Sequence, residues 1–321
     1  MRCPIETGHD LKFMQSQIRI TIAICTFNRA AYLKDTLDDL GLQTASPNHF
    51  ELLVVNNNSK DGTETVCEIF RKTNPEVEFR WVKEESQGLS YARNRAAKEA
   101  GSPVLLYIDD DVKLSENFVQ TALDYIDSRQ STLCAGGRIF VSFDDEENPD
   151  WIPKELMPMF GLHDLGDENR IYPPSNFPRG GNMMIRKTVF DAFGYFDTTL
   201  GRTGKELLGS EEKAFFERIR KNGVEMHYWA DLKLTHRIGY KRLEKEYLEK
   251  QSVGIGKSER LRLEGQSAEL IKKLASELLK LSWSLILSAG YYLSGNSKAA
   301  LFILQFRVWV LRGFFAGNRS E

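Results

Sequence analysis

The sequence has few of the features that mark several large protein classes. Its 321 residues include four cysteines with no CxxC spacing, and no Gly-x-Gly-x-x-Gly segment follows a strand-like run. The lack of CxxC spacing argues against a cysteine zinc site. The lack of a Gly-x-Gly-x-x-Gly segment argues against a dinucleotide-binding fold. The formal net charge is −2 and the pI is near 6.3, so the chain as a whole has no electrostatic case for binding nucleic acid. We expect no nucleic-acid partner and no zinc.

Long hydrophobic runs are also missing. Residues 1–17 are polar and contain no apolar run of signal-peptide length, so we expect the catalytic part of the chain to be cytoplasmic. Near the C-terminus, the apolar stretches Leu281–Leu293 and Ala299–Leu311 are each shorter than the ~20 residues that span a bilayer. We therefore expect neither a spanning hairpin nor the multi-span channel that processive synthesis would need.

The two C-terminal stretches allow two interpretations. They place Trp, Tyr and Phe beside Lys and Arg, which is typical of helices that lie in a membrane interface, here the inner face of the cell membrane. Alternatively, the helices pack on the rest of the chain or on a second subunit. We treat 239–321 as a helical C-terminal region and leave both peripheral membrane association and a homo-oligomer open.

Short apolar runs alternate with helical patterns through the first half of the chain. This alternation predicts βαβ units and an α/β fold with a mixed, mostly parallel sheet flanked by helices. In such open sheets, ligands bind beyond the carboxyl ends of the strands. We expect strands at Ile18–Cys25, Glu51–Val55, Glu78–Val82 and Val104–Ile108, and helices at Ala30–Gln43, Thr63–Thr73 and Leu89–Ala100.

The second half of the chain is less regular. Asp144–Pro178 is rich in acidic residues, proline and aromatics without a clear period, and we interpret it as an irregular excursion over the site. Around this region we expect strands at Thr132–Val141, Gly180–Arg186, Val224–Ala230 and Leu232–His236, and helices at Lys187–Phe193 and Glu211–Asn222.

One segment of the C-terminal region has a misleading similarity. Gly254–Ser258 resembles the end of a phosphate-binding P-loop, but Gln251 occupies the position of the first glycine. The preceding segment Tyr247–Val253 also has a helical pattern, whereas a P-loop follows a strand. We therefore reject a P-loop at this position.

Three consecutive aspartates, Asp109–Asp111, follow an apolar run. Adjacent like charges repel and lose hydration at the end of a buried strand unless a cation lies between them. Alternation points Asp109 and Asp111 to one side and Asp110 to the other. The first two can then share Mg²⁺ or Mn²⁺, which are hard ions that prefer oxygen ligands. The alternative is a solvated acidic turn that caps the next helix at Ser115.

Two further segments carry polar groups suited to a nucleotide. Asn56–Asp61 leaves a strand end, and its amides can pair with the edge of a nucleobase. The alternative is an ordinary Asn/Asp/Gly turn. Arg93 lies in the first turns of a predicted helix, where it either reaches a base or phosphate or is an exposed helix arginine. The residues alone leave these alternatives open.

Glu211 and Glu212 open a predicted helix. One interpretation is helix capping, because acids favour a helix N-terminus. The other is that one of them is a general base that removes the proton of an acceptor hydroxyl, a role worth about 10²–10⁴ in rate. His236 ends a predicted strand and is a further metal ligand, a phosphate partner or a core histidine.

Taken in order, these motifs resemble those of the family 2 glycosyltransferases over roughly Ile18–Ile238. The resemblance implies a GT-A (Rossmann-like) fold that acts on nucleotide sugars, with a nucleotide-sugar half at about 18–111 and an acceptor half at about 112–238. Asp109–Asp111 match the DxD motif of that family. The other similar segments are Thr21–Arg29, Val54–Thr63, Gly180–Met183, Ser210–Glu212 and the pair Arg218 and Gly223.

The resemblance implies an inverting glycosyltransferase that uses Mn²⁺ or Mg²⁺. Asp111, with Asp109 and His236, would hold the metal, and Glu212, with Glu211 as the alternative, would be the catalytic base. The donor would be a nucleoside-diphosphate sugar, with UDP expected before GDP or dTDP, and the acceptor a glycan or a lipid-linked acceptor of cell-surface polysaccharide synthesis. The residues that would line the nucleotide pocket are Thr26, Asn28, Arg29, Asn56, Asp61, Arg93, Asp109 and Asp110.

The sequence departs from the family pattern at two positions. Asn56 replaces the aspartate that commonly contacts the base, and since an amide both donates and accepts, the nucleobase stays open. Glu212 replaces the usual aspartate and is longer by one methylene. Two other functions also stay open. A sugar nucleotidyltransferase would want a glycine-rich loop after the first strand, which Cys25–Arg29 lacks. A non-catalytic glycan-binding or membrane-complex module would tolerate loss of Glu212.

Overall fold

The computed structural model describes residues 18–144, 149–204 and 206–316. In this part of the chain the strands are β1 Ile20–Thr26, β2 Phe50–Asn56, β3 Glu78–Lys83, β4 Val104–Ile108, β5 Val112–Lys113, β6 Cys134–Phe143, β7 Arg170–Ile171, β8 Asn182–Arg186 and β9 Met226–Ile238. The helices are α1 Ala30–Gly41, α2 Thr63–Thr73, α3 Leu89–Glu99, α4 Phe118–Ser128, α5 Lys187–Phe193, α6 Glu211–Lys221, α7 Lys245–Arg262, α8 Ser267–Leu293 and α9 Ser297–Ala316.

The strands form one mixed sheet in the order β3-β2-β1-β4-β8-β6-β9-β5, and β7 also pairs with β9. β1 pairs in parallel with both β2 and β4, and β2 pairs in parallel with β3. β8 runs antiparallel to β4 and β6, and β9 runs antiparallel to β5 and β7. The mixed α/β sheet is confirmed, and the parallel pairs described above lie among β1–β4, where helices form the crossover connections.

The two faces of the sheet bury two apolar cores. Ile22 and Ile24 of β1 pack with Leu33 of α1 in one core. Ala23, which points to the opposite face, packs with Ala92 of α3 in the other. Because β1 is covered on both faces, nearly its whole length must be apolar, which explains the near-continuous hydrophobic run of the sequence.

The pairing of the strands brings the polar loops to one edge of the sheet. β1 and β2 are in register at their last residues, Thr26 and Asn56, and β4 ends beside β1 at Ile108. The loops that follow contain Arg29 and Asp109, so the motifs after three different strands lie at the same edge. This is the edge at which open α/β sheets bind ligands.

The number of strands near the end of the sheet-forming region differs from the sequence analysis. The predicted strands Val224–Ala230 and Leu232–His236 form a single strand, β9, so the prediction of two strands was wrong. Asp231 was interpreted as a break, but its side chain is exposed and lies 3.4 Å from the Tyr125 hydroxyl while the backbone continues. No Gly, Pro or Asn is present there to turn the chain.

Within the described residues the chain forms two compact units. The first contains 18–141, His163–Asp197 and Glu212–Arg237, and with them the loop edge of the sheet. The second contains Ser142–Leu162, Thr198–Glu211 and the chain from Ile238, and it includes α7, α8 and α9. The division at residue 238 into a catalytic domain and a helical region stays a prediction.

The rejected P-loop segment lies inside α7, so its rejection is confirmed. Its glycines have a packing role instead. A side chain at Gly256 would collide with the carbonyl oxygen of Val310 in α9, and one at Gly313 in α9 would collide with the carbonyl oxygen of Val253 in α7. The glycines allow the two helix backbones to approach closely.

The last two helices are longer than the apolar stretches that predicted them. Among the described helices, only α9 is long and apolar enough to cross a membrane by length and composition, with 20 residues and a mean hydropathy of 1.5. The expectation that both stretches are too short to span is therefore wrong for α9, because the helix continues past Lys298 at one end and Arg312 at the other. Half of the most apolar part of this helix is buried inside the protein.

The irregular region Asp144–Pro178 contains a buried aromatic cluster. His163 is 4% exposed, and its Nε2 lies 2.8 Å from the Tyr172 hydroxyl. The Tyr172 ring stacks on the imidazole, and Tyr228 meets both rings edge-on. Burial lowers the pKa of His163 to about 3, and Arg179 acts in the same direction. The imidazole is therefore a neutral core group at physiological pH.

We expect His163 to make the folded protein less stable below about pH 6.5. The pKa is lower in the folded chain than in the unfolded one, so between about pH 3 and pH 6.5 the unfolded chain binds more protons and stability falls as the pH falls. This residue should account for a loss of about 2 kcal/mol at pH 5. Urea unfolding of the wild type and of His163→Gln near neutral pH and near pH 5 measures it, and the variant should lose less stability. Equal losses in the two proteins would contradict a buried, neutral imidazole.

Candidate active site

Hydrogen bonds tie the loops after β1 and β2 to each other. The backbone N–H of Asn28 donates to Ser59 Oγ at 2.9 Å, and the N–H of Lys60 donates to Asn28 Oδ1 at 2.7 Å. Asn28 has a φ of +53°, a left-handed conformation that asparagine adopts more readily than most residues. Asparagine therefore supplies both the backbone conformation and the acceptor that joins the loops.

Asp61 makes a second connection between these loops. One of its oxygens accepts the N–H of Ala30 at 2.9 Å, and the other accepts the N–H and the hydroxyl of Thr63 at the start of α2. Burial alone would raise the pKa of Asp61, but these hydrogen bonds outweigh it and hold the pKa below its usual range. The carboxylate stays ionised and fixes the shape of the loop between β2 and α2.

The asparagines at the end of β2 are buried and engaged in hydrogen bonds. Asn56 is 0% exposed, and its Oδ1 accepts the N–H of Ser59 at 2.9 Å. The sequence analysis did not single out Asn57, whose Oδ1 accepts the N–H of Gly88 at 2.8 Å and whose Nδ2 donates to the Glu84 carbonyl at 3.1 Å. Asn57 thus fastens the β2 loop to the start of α3. The sequence feature that could have identified Asn57 is its place within a run of three asparagines.

The acidic motif lies between β4 and β5, and two of its residues are buried. Asp110 is 4% exposed and Asp111 is 1% exposed, so the solvated acidic turn is excluded for both. The Thr26 hydroxyl donates to Asp110 Oδ2 at 2.7 Å. Arg29 bridges the two acids, with Nη1 3.0 Å from Asp110 Oδ1 and Nη2 2.6 Å from Asp111 Oδ2. The loop after β1 and the acids after β4 therefore form one cluster.

The charges in this cluster depend on one another. Burial raises the pKa of Asp110 above its usual range, Asp111 adds to this effect, and Arg29 opposes it. For Arg29, burial would lower the pKa, but Asp110 and Asp111 outweigh burial and raise it. Arg29 therefore keeps its charge at any relevant pH. That charge is what makes two neighbouring buried carboxylates tolerable.

Asp109, Asp111 and His236 form a candidate metal site. Their ligand atoms all lie within 4.8 Å of one another. His236 reaches the acids because β9 pairs with β5, where it lies opposite Val112, and its Nε2 is 3.1 Å from Asp111 Oδ2. Carboxylates suit both Mg²⁺ and Mn²⁺, whereas an imidazole nitrogen is more typical of transition-metal sites. The donor set fits a divalent cation.

Glu212 forms an ion pair with Arg93. Arg93 Nη2 lies 2.9 Å from Glu212 Oε1, the arginine side chain is 4% exposed and that of the glutamate is 20% exposed. The Tyr107 hydroxyl donates to the Arg93 carbonyl at 3.0 Å, and the guanidinium lies over the Phe196 ring. The exposed helix arginine is thus excluded. Glu211, the first residue of α6, is 5% exposed and lies in a different environment from its neighbour.

The turn Gly180–Gly181 lies against both groups of charged residues. A side chain at Gly180 would collide with the Arg93 guanidinium and with Glu212 Oε1, and one at Gly181 would come within 2.8 Å of Asp109 Oδ2. Backbone without side chains is therefore required here. This turn links the Arg93–Glu212 pair to the candidate metal site.

Asn182, which follows the glycine turn, supports the sheet beside the site. It is 0% exposed, and its Nδ2 donates to the carbonyls of Leu232 at 2.8 Å and Arg138 at 3.2 Å. A side chain at Gly137 would collide with the Asn182 amide. Asn182 therefore joins β6 and β9 beneath the glycine turn. The sequence feature that could have identified Asn182 is its position in the Gly-Gly-Asn segment.

Apart from Glu211, which belongs to the second compact unit, the predicted site residues fall into three groups in the first compact unit. The first is the carboxylate cluster and its immediate partners. The second is the ion pair against the glycine turn. The third fixes the loops after β1 and β2. In that order, the groups are Thr26, Arg29, Asp109, Asp110, Asp111 and His236; Arg93 and Glu212; and Asn28, Asn56 and Asp61.

Residues 21–194 match the family model described as Glycosyl transferase family 2. The chain is 23% identical over 247 residues to the glucosyl-dolichyl phosphate glucuronosyltransferase of Haloferax volcanii, covering 76% of this chain and 77% of that protein. It is 25% identical over 118 residues to the poly(ribitol-phosphate) beta-N-acetylglucosaminyltransferase TarP of Staphylococcus aureus, covering 37% and 36% of the two chains. A validoxylamine A glucosyltransferase of Streptomyces hygroscopicus is 34% identical over 107 residues, with 32% of this chain and 23% of that protein covered. The chain thus spans about three quarters of the first relative and much less of the other two.

Solved structures give the same fold. The mannosyltransferase PcManGT of Pyrobaculum calidifontis, in complex with GDP-Man and Mn²⁺, superposes with a TM-score of 0.57 at 14% identity, covering 95% of this chain and 93% of that one. Residues 1–349 of S. aureus TarS, in complex with UDP-GlcNAc, superpose with a TM-score of 0.51 at 18% identity, covering 74% and 66%. The mixed sheet with its flanking helices is therefore the expected GT-A fold.

The family model covers more than half of the chain, and within it lie the loops after β1 and β2, the three aspartates and the glycine turn. All three relatives named above are glycosyltransferases by name. The chain belongs to glycosyl transferase family 2 and is a glycosyltransferase with the GT-A fold.

Proposed function

We propose that the chain is an inverting, metal-dependent transferase. It moves a sugar from a nucleoside-diphosphate sugar to a hydroxyl of a glycan or lipid-linked acceptor in cell-surface polysaccharide synthesis. One observation carries the proposal: the turn Gly180–Gly181 lies against both the Arg93–Glu212 pair and Asp109. A single displacement needs a base for the acceptor close to the group that stabilises the leaving diphosphate.

Asp109, Asp111 and His236 would hold the divalent cation, which we propose to be Mn²⁺ before Mg²⁺ because of the imidazole ligand. Such an ion, when bound, neutralises negative charge that develops on a diphosphate leaving group. Arg29 lies beside the same carboxylates, and its planar guanidinium suits two diphosphate oxygens. Thr26 and Asp110 would hold this arginine in position beside the acidic motif.

Glu212 is the proposed general base. Its carboxylate is partly exposed, whereas its partner Arg93 is buried and surrounded by Tyr107 and Phe196. The fixed guanidinium would hold the carboxylate in one position, which a base needs in order to reach the acceptor hydroxyl. Arg93 would thus position Glu212. We propose a direct contact with the nucleotide as its second role.

In the proposed step, Glu212 accepts the proton of the acceptor hydroxyl while that oxygen forms a bond to the anomeric carbon of the donor. The bond between this carbon and the diphosphate oxygen breaks, and its electron pair leaves with the diphosphate. Attack from the opposite face inverts the configuration of the carbon. One carbon–oxygen bond forms and one breaks, and the proton ends on Glu212.

For the donor we propose UDP as the first candidate and GDP and dTDP as the next. The similar structures were solved with UDP-GlcNAc and with GDP-Man, so the fold accommodates more than one base. Asn28, Asn56 and Asp61 would shape the wall of the base pocket, since their side-chain bonds set the course of the loops after β1 and β2.

Two remaining assignments belong to the same proposal. We propose a catalytic domain at 18–238 followed by the helical region 239–321, in the cytoplasm at the inner face of the membrane. A sugar nucleotidyltransferase and a non-catalytic module are the competing functions. No observation on the described residues favours either, because the loop after β1 contains no glycine and the acidic groups of a transferase are complete.

We expect one nucleoside diphosphate to bind in a metal-dependent way. Calorimetric titration of UDP, GDP and dTDP, with and without Mn²⁺, should show at least a tenfold gain in affinity with the metal for the preferred nucleotide. Asp111→Asn should lose that gain, because it removes charge from the candidate metal site. Asp38→Asn, at an exposed helix position where the carboxylate pairs with Lys34 at 2.5 Å, is the matched control. If none of the three nucleotides binds with or without metal, the transferase proposal fails.

We expect the two adjacent glutamates to differ in catalysis. Glu212→Gln should lower the rate of nucleotide release from the donor sugar by about 10²–10⁴, because an amide cannot accept the proton. Glu211→Gln should lower it less than about tenfold. Nucleotide affinity measured by calorimetry should remain unchanged in both variants. A larger loss for Glu211→Gln would move the role of base to Glu211.

We expect Gly180→Ala to impair turnover without impairing nucleotide binding. The added methyl group would displace the Arg93 guanidinium and Glu212 Oε1, so kcat should fall at least about tenfold. Gly209→Ala is the matched control, since its added methyl meets no atom within 4 Å. Unchanged kcat in Gly180→Ala would show that the position of this ion pair does not matter for the reaction.

A further inference from the structure

Helix α8 is oriented with polar side chains inward. Its buried residues are Glu277, Ser284 and Ser288, at 3%, 2% and 9% exposure. The Ser288 hydroxyl donates to the Ala300 carbonyl of α9 at 2.8 Å, and Ser284 Oγ accepts from Arg307 Nε of α9 at 3.2 Å. Polar contacts therefore hold α8 on α9. An ordinary surface helix instead packs its apolar side against the protein.

The opposite side of α8 is apolar and exposed. Six large side chains define it, and we call this surface the α8 apolar face: Ile271 68%, Leu278 49%, Leu279 72%, Trp283 59%, Ile286 62% and Leu293 86% exposed. Apart from the adjacent pair Leu278 and Leu279, their spacing of three, four and seven residues places them along one side of the helix over about 33 Å. A contiguous apolar surface of this length on an otherwise soluble unit marks an interaction site.

Charge identifies the kind of partner. From Leu278 to Ala316 the chain contains no aspartate or glutamate but four cations, Lys280, Lys298, Arg307 and Arg312. Lys280 and Arg307 share the charge of Glu277, and Arg312 pairs with Glu249, so the balance of charge over the whole region is what a partner meets. Over residues 239–321, Lys and Arg outnumber Asp and Glu by 14 to 8, whereas in the remainder of the chain the acids outnumber the bases. A second copy docked through the same face would bring like charges together. Anionic lipid headgroups are complementary to it.

The outward side chains also fit a lipid interface. Trp283 is exposed next to Lys280, and Tyr292 is 69% exposed at the far end of α8. Rings with a polar edge and lysines with long apolar stems are the residues that settle at headgroup level. α9, by contrast, is committed to the protein: Phe302, Ile303 and Val310 are buried. The arrangement fits a helix lying on a membrane and does not fit a helix crossing it.

We propose that the α8 apolar face docks this chain on the surface of a bilayer that contains anionic lipids. The face supplies apolar area for the headgroup boundary, and the excess of Lys and Arg over Asp and Glu in residues 239–321 supplies the attraction to the lipid charge. This proposal concerns the second compact unit and stands apart from the transferase chemistry.

Co-sedimentation of the full chain with vesicles tests the proposal. We expect binding to phosphatidylcholine vesicles that contain about one third phosphatidylglycerol, weaker binding to phosphatidylcholine alone, and weakening by salt. The double variant Trp283→Ser/Ile286→Ser should bind at least tenfold more weakly. Ile69→Ser, which removes an apolar side chain of 55% exposure from α2, should bind like the wild type.

Three results would overturn the proposal. They are no binding of the wild type to either vesicle, equal binding of the double variant, or a dimer in light scattering that the double variant abolishes. The last result would assign the face to a second copy of the chain. Far-ultraviolet circular dichroism and the affinity for the nucleoside diphosphate should be unchanged in the double variant. A failed lipid experiment with intact nucleotide binding therefore leaves the transferase proposal untouched.

Discussion

Asp110 and Asp111 are buried side by side, and two like charges are tolerated in the interior only where cations and donors reach them. The groups that do so come from distant segments. Arg29 follows β1 and bridges both carboxylates, and His236 on β9 places its Nε2 3.1 Å from Asp111 Oδ2. The order of β1, β4 and β9 around this edge is therefore coupled to the charge of the site. Moving any one of these strands would leave a buried charge uncompensated.

Much of this arrangement follows from local sequence. The strand Val104–Ile108 was predicted with its observed bounds, because the three aspartates that follow the short apolar run mark where the strand ends. Parallel β1, β2 and β4 then bring their carboxyl ends together, so the neighbourhood of Thr26, Asn56 and Asp109 could be predicted before any contact was known. His236 was also among the predicted ligands, and the structure places it in the same cluster.

Other features depend on contacts between distant residues and have no local signal. Arg93 and Glu212 are 119 positions apart, and their pairing exists because the glycine at position 180 leaves room for both side chains. The sequence suggested a nucleotide contact for Arg93, which stays a prediction beside the observed ion pair. The orientation of α8 is a similar case. Its periodicity predicts a helix, but which side faces inward is decided by the polar groups that α9 offers, such as the Ala300 carbonyl.

The balance of charge distinguishes a carboxylate that stabilises the fold from one that can bind a cation. Glu277 is as buried as the aspartates of the site, but Lys273, Lys280 and Arg307 surround it at 2.7 to 3.6 Å. Cations outnumber acids there, so a further positive ion would be repelled. At the sheet edge three aspartates share the charge of Arg29, and the surplus is negative. Burial makes both groups sensitive to their partners, and the sign of the local surplus makes the sheet edge, and not the Glu277 cluster, a candidate site for a divalent cation.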